Sequence, residues 1–78
     1  MLWPERVALL EAIKKISIND EYNAAPVMAI ATKVGKTRAA IAKLLWLMKK
    51  NGLVENPIRG RWRLTSSGKK TLVEAVEA

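Results

Sequence analysis

Seventy-eight residues with a net charge of +7, half of them apolar, make one small domain whose thin core a partner subunit often supports. The chain has neither cysteine nor histidine. That removes disulfides, zinc–thiolate sites, the commonest nucleophile–base pairs and the commonest metal ligands, so no cofactor is expected.

The first helix runs from about Pro4 to Ile16 or Ser17. Proline suits the first helical position and Glu5 suits the first turn. Val7, Leu10 and Ile13, with Leu9 and Ile16, supply its apolar stripe, and Lys14 and Lys15 complement the dipole near its end. Glu5, Arg6 and Glu11 interrupt the apolar residues, so this N-terminus does not read as a signal peptide. No apolar run is long enough to cross a bilayer, so no membrane partner is expected. The expectation is a soluble, cytoplasmic protein, associated with the nucleoid if it is prokaryotic.

Residues 17–25 form a connector with turn-forming Asn19, Asp20 and Asn23, in which Ile18 or Tyr22 would pack on the core. Pro26 reads as the first residue of a second helix ending at Val34, with Val27, Ile30, Ala31 and Val34 as its inward stripe. Gly35 fits a left-handed residue just past its end.

The third helix covers about Thr37 to Lys50, with Thr37 able to cap it and Asn51-Gly52 ending it. At 100° per residue, Ile41, Leu44, Leu45 and Met48 share the core face. Ala39, Lys43, Trp46 and Lys50 share the opposite face, with Arg38, Ala42 and Lys49 on one flank and Leu47 nearer the other. Leu53-Val54-Glu55 and Arg61-Trp62-Arg63-Leu64 then read as antiparallel strands joined by residues 56–60. Alternation puts Trp62 and Leu64 on the core and leaves Arg61 and Arg63 in water or on phosphate. Thr65 can cap a last helix over residues 66–77, with Leu72, Val73 and Val76 as its stripe and Gly68 as a mild weakness.

The charge is concentrated. From Lys33 to Arg63 nine basic residues face one acid, Glu55, a net of +8, while the remainder carries five basic and six acidic residues, a net of −1. This is the electrostatic footprint expected for nucleic acid.

Ala31, Gly35 and Ile41 stand at helix-turn-helix spacing. Leu45, Met48 and Gly52-Leu53-Val54 match the end of a recognition helix leading into a wing, and Leu64-Thr65 with Gly68-Lys69 matches the exit from it. On these residues the chain resembles the winged helix-turn-helix DNA-binding proteins, in particular small transcriptional regulators of the multiple-antibiotic-resistance-repressor and arsenical-repressor kind. The resemblance covers roughly Pro26 to Val76. It implies a mainly α fold with a small β-wing: one winged-helix domain over residues 1–78, with its helix-turn-helix at 26–51, its wing at 53–64 and a short strand near Tyr22–Ala24 that pairs with the wing. The chain is shorter than most such regulators, has no room for a separate sensing domain and lacks the Cys and His of metal-sensing members, so no small-molecule effector is expected.

The function implied is sequence-specific double-stranded DNA binding in transcription regulation. The third helix would lie in the major groove, with Arg38 on a guanine, Lys43 on a guanine or phosphate, and Ala39 and Ala42 close enough for a thymine methyl. Lys33, Lys36 and Thr37 would hold phosphates near the helix start. Arg59 would meet a minor groove or phosphate, and Arg61 would position the backbone. Lys49 and Lys50 read as solvated cations, and Arg63 as a cover for Trp62. Trp46, beside Leu47 and opposite the core, points to packing on the wing or a second subunit before DNA. A homodimer would use Leu2, Trp3, Leu72, Val76 and the outer helices.

RNA or ribonucleoprotein binding is one alternative, with Trp46 and Tyr22 as the stacking candidates. A protein-interaction module with an acidic partner is another. An enzyme is not expected, because the seven acids are scattered and form no acid–base pair or metal cluster.

Overall fold

The computed structural model describes residues 4–77, with the side chain of Glu77 left aside. The order is α1 (Pro4–Ile18), β1 (Ala25–Pro26), α2 (Val27–Val34), α3 (Arg38–Lys50), β2 (Val54–Ile58), β3 (Arg61–Leu64) and α4 (Ser66–Glu77). The three strands form one antiparallel sheet with β3 in the middle, flanked by β1 and β2. This is a winged-helix arrangement, mainly helical, as the sequence implied. Leu2 and Trp3, named above as contacts with a second chain, lie outside the described residues.

The core is where the helical stripes converge. Leu9, Leu10 and Ile13 of α1, Ile30 of α2, and Ile41, Leu45 and Met48 of α3 are completely covered. Burying each such side chain contributes about 1.5–3 kcal/mol. Trp62 and Leu64 close this core from the sheet and Leu72 from α4. Leu72 is 3% exposed, so it packs within its own chain. The surface residues beside it on α4 are Val73 and Val76.

Four local expectations shift. Helix α1 continues to Ile18, which is exposed rather than packed on the core, as is Tyr22. The first strand is Ala25–Pro26, not Tyr22–Ala24, because the residues that reach Trp62 and Arg61 of β3 are Ala25 and Pro26. Pro26 is therefore the extended N-cap of α2 (φ −64°, ψ 142°) rather than its first helical residue. Finally, β2 runs on to Ile58, so the hairpin loop is only Arg59-Gly60.

That last shift has a local cause. Glu55 pairs with Arg63 and Ile58 with Arg61, so one extra residue is accommodated between them as a bulge at Asn56-Pro57. The Asn56 side-chain amide donates to the carbonyls of Ile58 (2.8 Å) and Arg61, supplying across the bulge the kind of donor that proline lacks. Gly60, at φ 79°, takes the left-handed position the tight turn needs.

The junction of α3, β2 and α4 is held by backbone. The end of α3 is a Schellman turn: Leu53 N–H donates to Met48 O and Gly52 N–H to Lys49 O, both at 3.0 Å. The Thr65 hydroxyl donates to Gly52 O and accepts from Gly68 N–H (3.0 Å), while Thr65 N–H donates to Leu53 O (3.1 Å). Gly68 is buried in this junction, and a Cβ built on it would stand 1.9 Å from the Leu53 carbonyl oxygen. The expectation of a mild helix weakness is corrected: this glycine permits the backbone contact that docks α4.

Candidate nucleic-acid interface

The turn between α2 and α3 sets the geometry of the basic face. Gly35 is left-handed (φ 77°, ψ 32°), and its N–H and that of Lys36 both donate to Ala31 O, at 2.9 and 3.0 Å. The turn is followed at once by Thr37, whose hydroxyl accepts from Ala40 N–H at 3.2 Å and caps α3. Replacing Thr37 with alanine is expected to cost about 1 kcal/mol of stability, read as a lower urea midpoint. An unchanged midpoint would show that this cap contributes nothing.

Lys33, Lys36, Thr37, Arg38, Ala39 and Lys43 are all exposed, and Ala42 is half-buried. Among the described residues Arg38, Lys43 and Arg59 take part in no ion pair. Lys36 lies 3.9 Å from Glu5 with both side chains in water, a contact worth little. The first turn of α3 holds no acid, so no carboxylate of that turn offsets the helix's positive end.

The wing is fixed at three points, two on helices and one on the connector between α1 and β1. Val27 N–H, at the start of α2, donates to Gly60 O at 3.0 Å. Arg61 bonds Asp20 at 2.6 Å and lies over the Tyr22 ring, 4.7 Å from its centroid. Trp62 meets Trp46 of α3 at an interplanar angle of 84°, with ring centroids 5.6 Å apart. Wing packing thus accounts for part of Trp46, although 53% of it remains in water with the Lys49 ammonium over its ring. Leu47, 40% exposed, has no such partner in the wing among these contacts.

Between α3 and the wing lies an open trough of about 600 Å³. Arg38, Ala39, Ala42 and Trp46 line it from the helix, Asn56, Arg59, Gly60 and Trp62 from the wing, and Val27 from α2. The structure therefore brings Arg38 and Arg59 to one concavity, far apart in sequence as they are. Arg61 and Arg63 do not join them. Arg61 is committed to Asp20, and Arg63 forms a cross-strand pair with Glu55. The Asp20 and Trp62 contacts carry no local sequence signal, since each partner lies in a different element.

The covering of Asp20 by itself would raise its pKa. The Tyr22 N–H, the Arg61 guanidinium and the Ala24 N–H outweigh this and hold it below the ordinary 3.8. A depressed carboxyl contributes stability that is complete above the ordinary range and lost as pH falls through the folded value. The melting-temperature advantage of wild type over Asp20→Asn is expected to shrink below about pH 4. A constant difference through that range would rule out the contribution.

Among the described residues no group of three or more acids could hold a metal ion, and no helix is long and apolar enough to cross a membrane.

No protein-family model matches the chain, and no curated protein sequence does. Its fold is similar to that of IdeR from T. acidophilum, with a TM-score of 0.73, 18% identity and 92% of this chain covered. It is also similar to a MarR-family transcriptional regulator from Silicibacter pomeroyi, with a TM-score of 0.67, 24% identity and 92% of this chain covered. The chain spans 32% of the first of these proteins and 54% of the second. At these identities the likeness concerns the fold.

Proposed function

We propose that this chain is a double-stranded DNA-binding domain that reads sequence and acts in transcription regulation. The observation that carries this is the face shared by α3 and the wing tip, where Arg38 and Arg59 line a preformed trough, Lys43 is exposed on α3, and none of the three has an ion-pair partner among the described residues. Cations held ready on a recognition helix are suited to phosphates and base edges. The likeness to a transcriptional regulator of the same fold supports the reading.

In this reading α3 lies in the major groove. Ala39 and Lys43, on its outward face, meet base edges, and the Arg38 side faces the wing. Lys33, Lys36 and Thr37 hold phosphates beside the helix start, where the free N–H groups also face an anion. Arg59 reaches the backbone from the wing. Arg61 keeps the wing in place through Asp20 rather than extending toward DNA. No cofactor or effector is part of the reading.

The test is binding to a duplex selected from a random pool, beside RNA of the same sequence and an acidic polypeptide, over a salt series. Duplex DNA should bind tightest, with log affinity falling linearly as log salt rises. Absence of duplex binding at low salt would overturn the reading, and tighter binding of either competitor would replace it.

A homodimer is the second part of the proposal. Ile18, Val73 and Val76 are 69%, 46% and 66% exposed and lie around the groove between α1 and α4, beside Glu11, Lys14 and Lys15. A two-fold copy placed there would cover apolar surface and present two reading heads to a palindrome. Sedimentation should show a dimer that Val76→Glu converts to monomer. A monomeric wild type at high concentration would remove the dimer and leave the DNA-binding reading standing.

A further inference from the structure

The charge of this chain is not confined to the reading face. Helix α3 ends on Lys49 and Lys50, and Lys69 and Lys70 stand near the start of α4. The junction joins these two helix ends. The Thr65 hydroxyl donates to Gly52 O, Gly68 lies against the Leu53 carbonyl, and Lys69 N–H donates to Thr65 O at 2.9 Å. All four lysines are exposed, and none has an ion-pair partner among the described residues. The acids nearest in sequence are Glu55, held by Arg63, and Glu74, one turn beyond Lys70. Lys49 is drawn to Trp46, its ammonium 4.6 Å from the ring centroid. Lys50, Lys69 and Lys70 remain as free cations at the base of the wing.

This base lies at the far end of the reading surface. The hairpin is paired from Val54–Leu64, beside the junction, to Ile58–Arg61 near its tip, and the Gly60 carbonyl at the tip accepts from Val27 N–H at the start of α2. Lys33, Lys36, Arg38 and Arg59, the phosphate and groove contacts of the reading above, gather at that tip end. At about 1.5 Å per residue, the 13 residues of α3 put Lys50 roughly 18 Å from Arg38. The major groove is about 12 Å wide. A duplex held by the start of α3 and the wing tip therefore leaves the wing base outside the groove that it fills.

The chemistry of the base favours a polyanion. A protein partner is usually held by buried aromatic or other large anchors. The exposed neighbours of the cluster are Asn51, Gly52, Ser66 and Ser67, and none supplies one. Lysine is a point charge without the arginine fork, suited to phosphates taken for their charge and not for sequence. Three lysines bind weakly alone. Once the reading end is on DNA, other stretches of the same long molecule are at high effective concentration, and a weak contact suffices.

We infer that Lys50, Lys69 and Lys70 hold the phosphates of a second segment of duplex DNA, so that the domain bridges the segment it reads to one it does not. This inference rests on the DNA-binding reading above.

The experiment fixes the selected duplex to a surface, loads it with protein and offers a labelled duplex of unrelated sequence. The salt is about 0.1 M, where exposed charges more than about 10 Å apart are largely screened. Wild type should capture the labelled duplex. Changing Lys50, Lys69 and Lys70 together to glutamine, which keeps the helix propensity of lysine, should lower capture about tenfold and change affinity for the selected duplex by less than about twofold. Lys69→Gln with Lys70→Gln alone should give an intermediate loss, and decides the matter if circular dichroism shows the triple variant unfolded. Wild type that holds the selected duplex and captures no second one overturns the bridge and leaves the DNA-binding reading standing. Capture by the triple variant equal to wild type also overturns it, because a second copy's reading face then holds the labelled duplex. A severalfold loss of affinity for the selected duplex in the triple variant overturns it too, since the lysines then touch the first duplex. Labelled polyglutamate captured in preference to DNA would overturn it in favour of an acidic protein. If the wild type does not bind the selected duplex at low salt, the DNA-binding reading itself has failed, and this inference fails with it.

Discussion

Gly68→Ala is expected to destabilise the domain by about 3 kcal/mol or more, the upper end of what inserted carbon costs in a packed site. By helix propensity alone the change would help, since alanine is favoured over glycine by about 1 kcal/mol inside a helix. The contact decides the sign. The new Cβ would fall 1.9 Å from the Leu53 carbonyl oxygen and 2.9 Å from its carbon. Those atoms are backbone, and the same carbonyl already accepts from Thr65 N–H. Neither side can yield without breaking the junction of α3, β2 and α4. In a domain of this size, such a loss is a large share of total stability. Urea unfolding of Gly68→Ala beside Ser67→Ala, an exposed neighbour expected to change stability by less than about 0.5 kcal/mol, isolates the effect. Hydrogen exchange would separate global unfolding from detachment of α4. Equal midpoints for Gly68→Ala and wild type would refute the contact.

The second large effect is on binding. Arg38 lines the trough beside the wing, so in place of the guanine contact expected from the sequence its replacement with alanine should weaken duplex affinity evenly across sequences and lower the magnitude of the salt slope by about 1, as loss of a phosphate contact does. Lys43→Ala should instead relax discrimination at one base pair, by about 1–3 kcal/mol. The double variant should combine the two. Both side chains are exposed and outside the core, so stability should hold within about 0.5 kcal/mol. Fluorescence anisotropy on the selected duplex and single-base variants, across salt, reads both quantities. Unchanged affinity in the double variant would remove α3 as the reading element.

The parts of this fold that were legible in the sequence are those fixed by neighbours in the chain. The four helices follow from apolar spacing, and Gly35, Thr37 and Gly52 announce their turns and cap by conformational preference. The inward face of β3 follows from period-2 alternation at Trp62 and Leu64. What stayed hidden depends on partners distant in sequence. Asn56-Pro57 reads as a turn until the Asn56 side chain is seen supplying hydrogen bonds across the bulge. Gly68 reads as a poor helix residue until Leu53 is placed against it. Arg61 reads as a free cation until the connector brings Asp20 to it. The candidate site was therefore legible as a set of exposed cations on α3 and the wing. Its shape, a trough with Arg38 and Arg59 on opposite banks, was not, because it depends on how the hairpin lies against the helix.

The two outer strands each contain a proline, Pro26 in β1 and Pro57 in β2. A strand at the border of a sheet normally offers free N–H and C=O groups on which another extended chain can grow. Here β1 is two residues long, and the border of β2 is broken by the bulge that contains Pro57. Neither offers an uninterrupted row of donors. Strand addition, and with it fibrillar growth from the native state, is disfavoured at both borders. The dimer proposed above uses the helical surface instead, where a two-fold association closes after two copies and does not propagate.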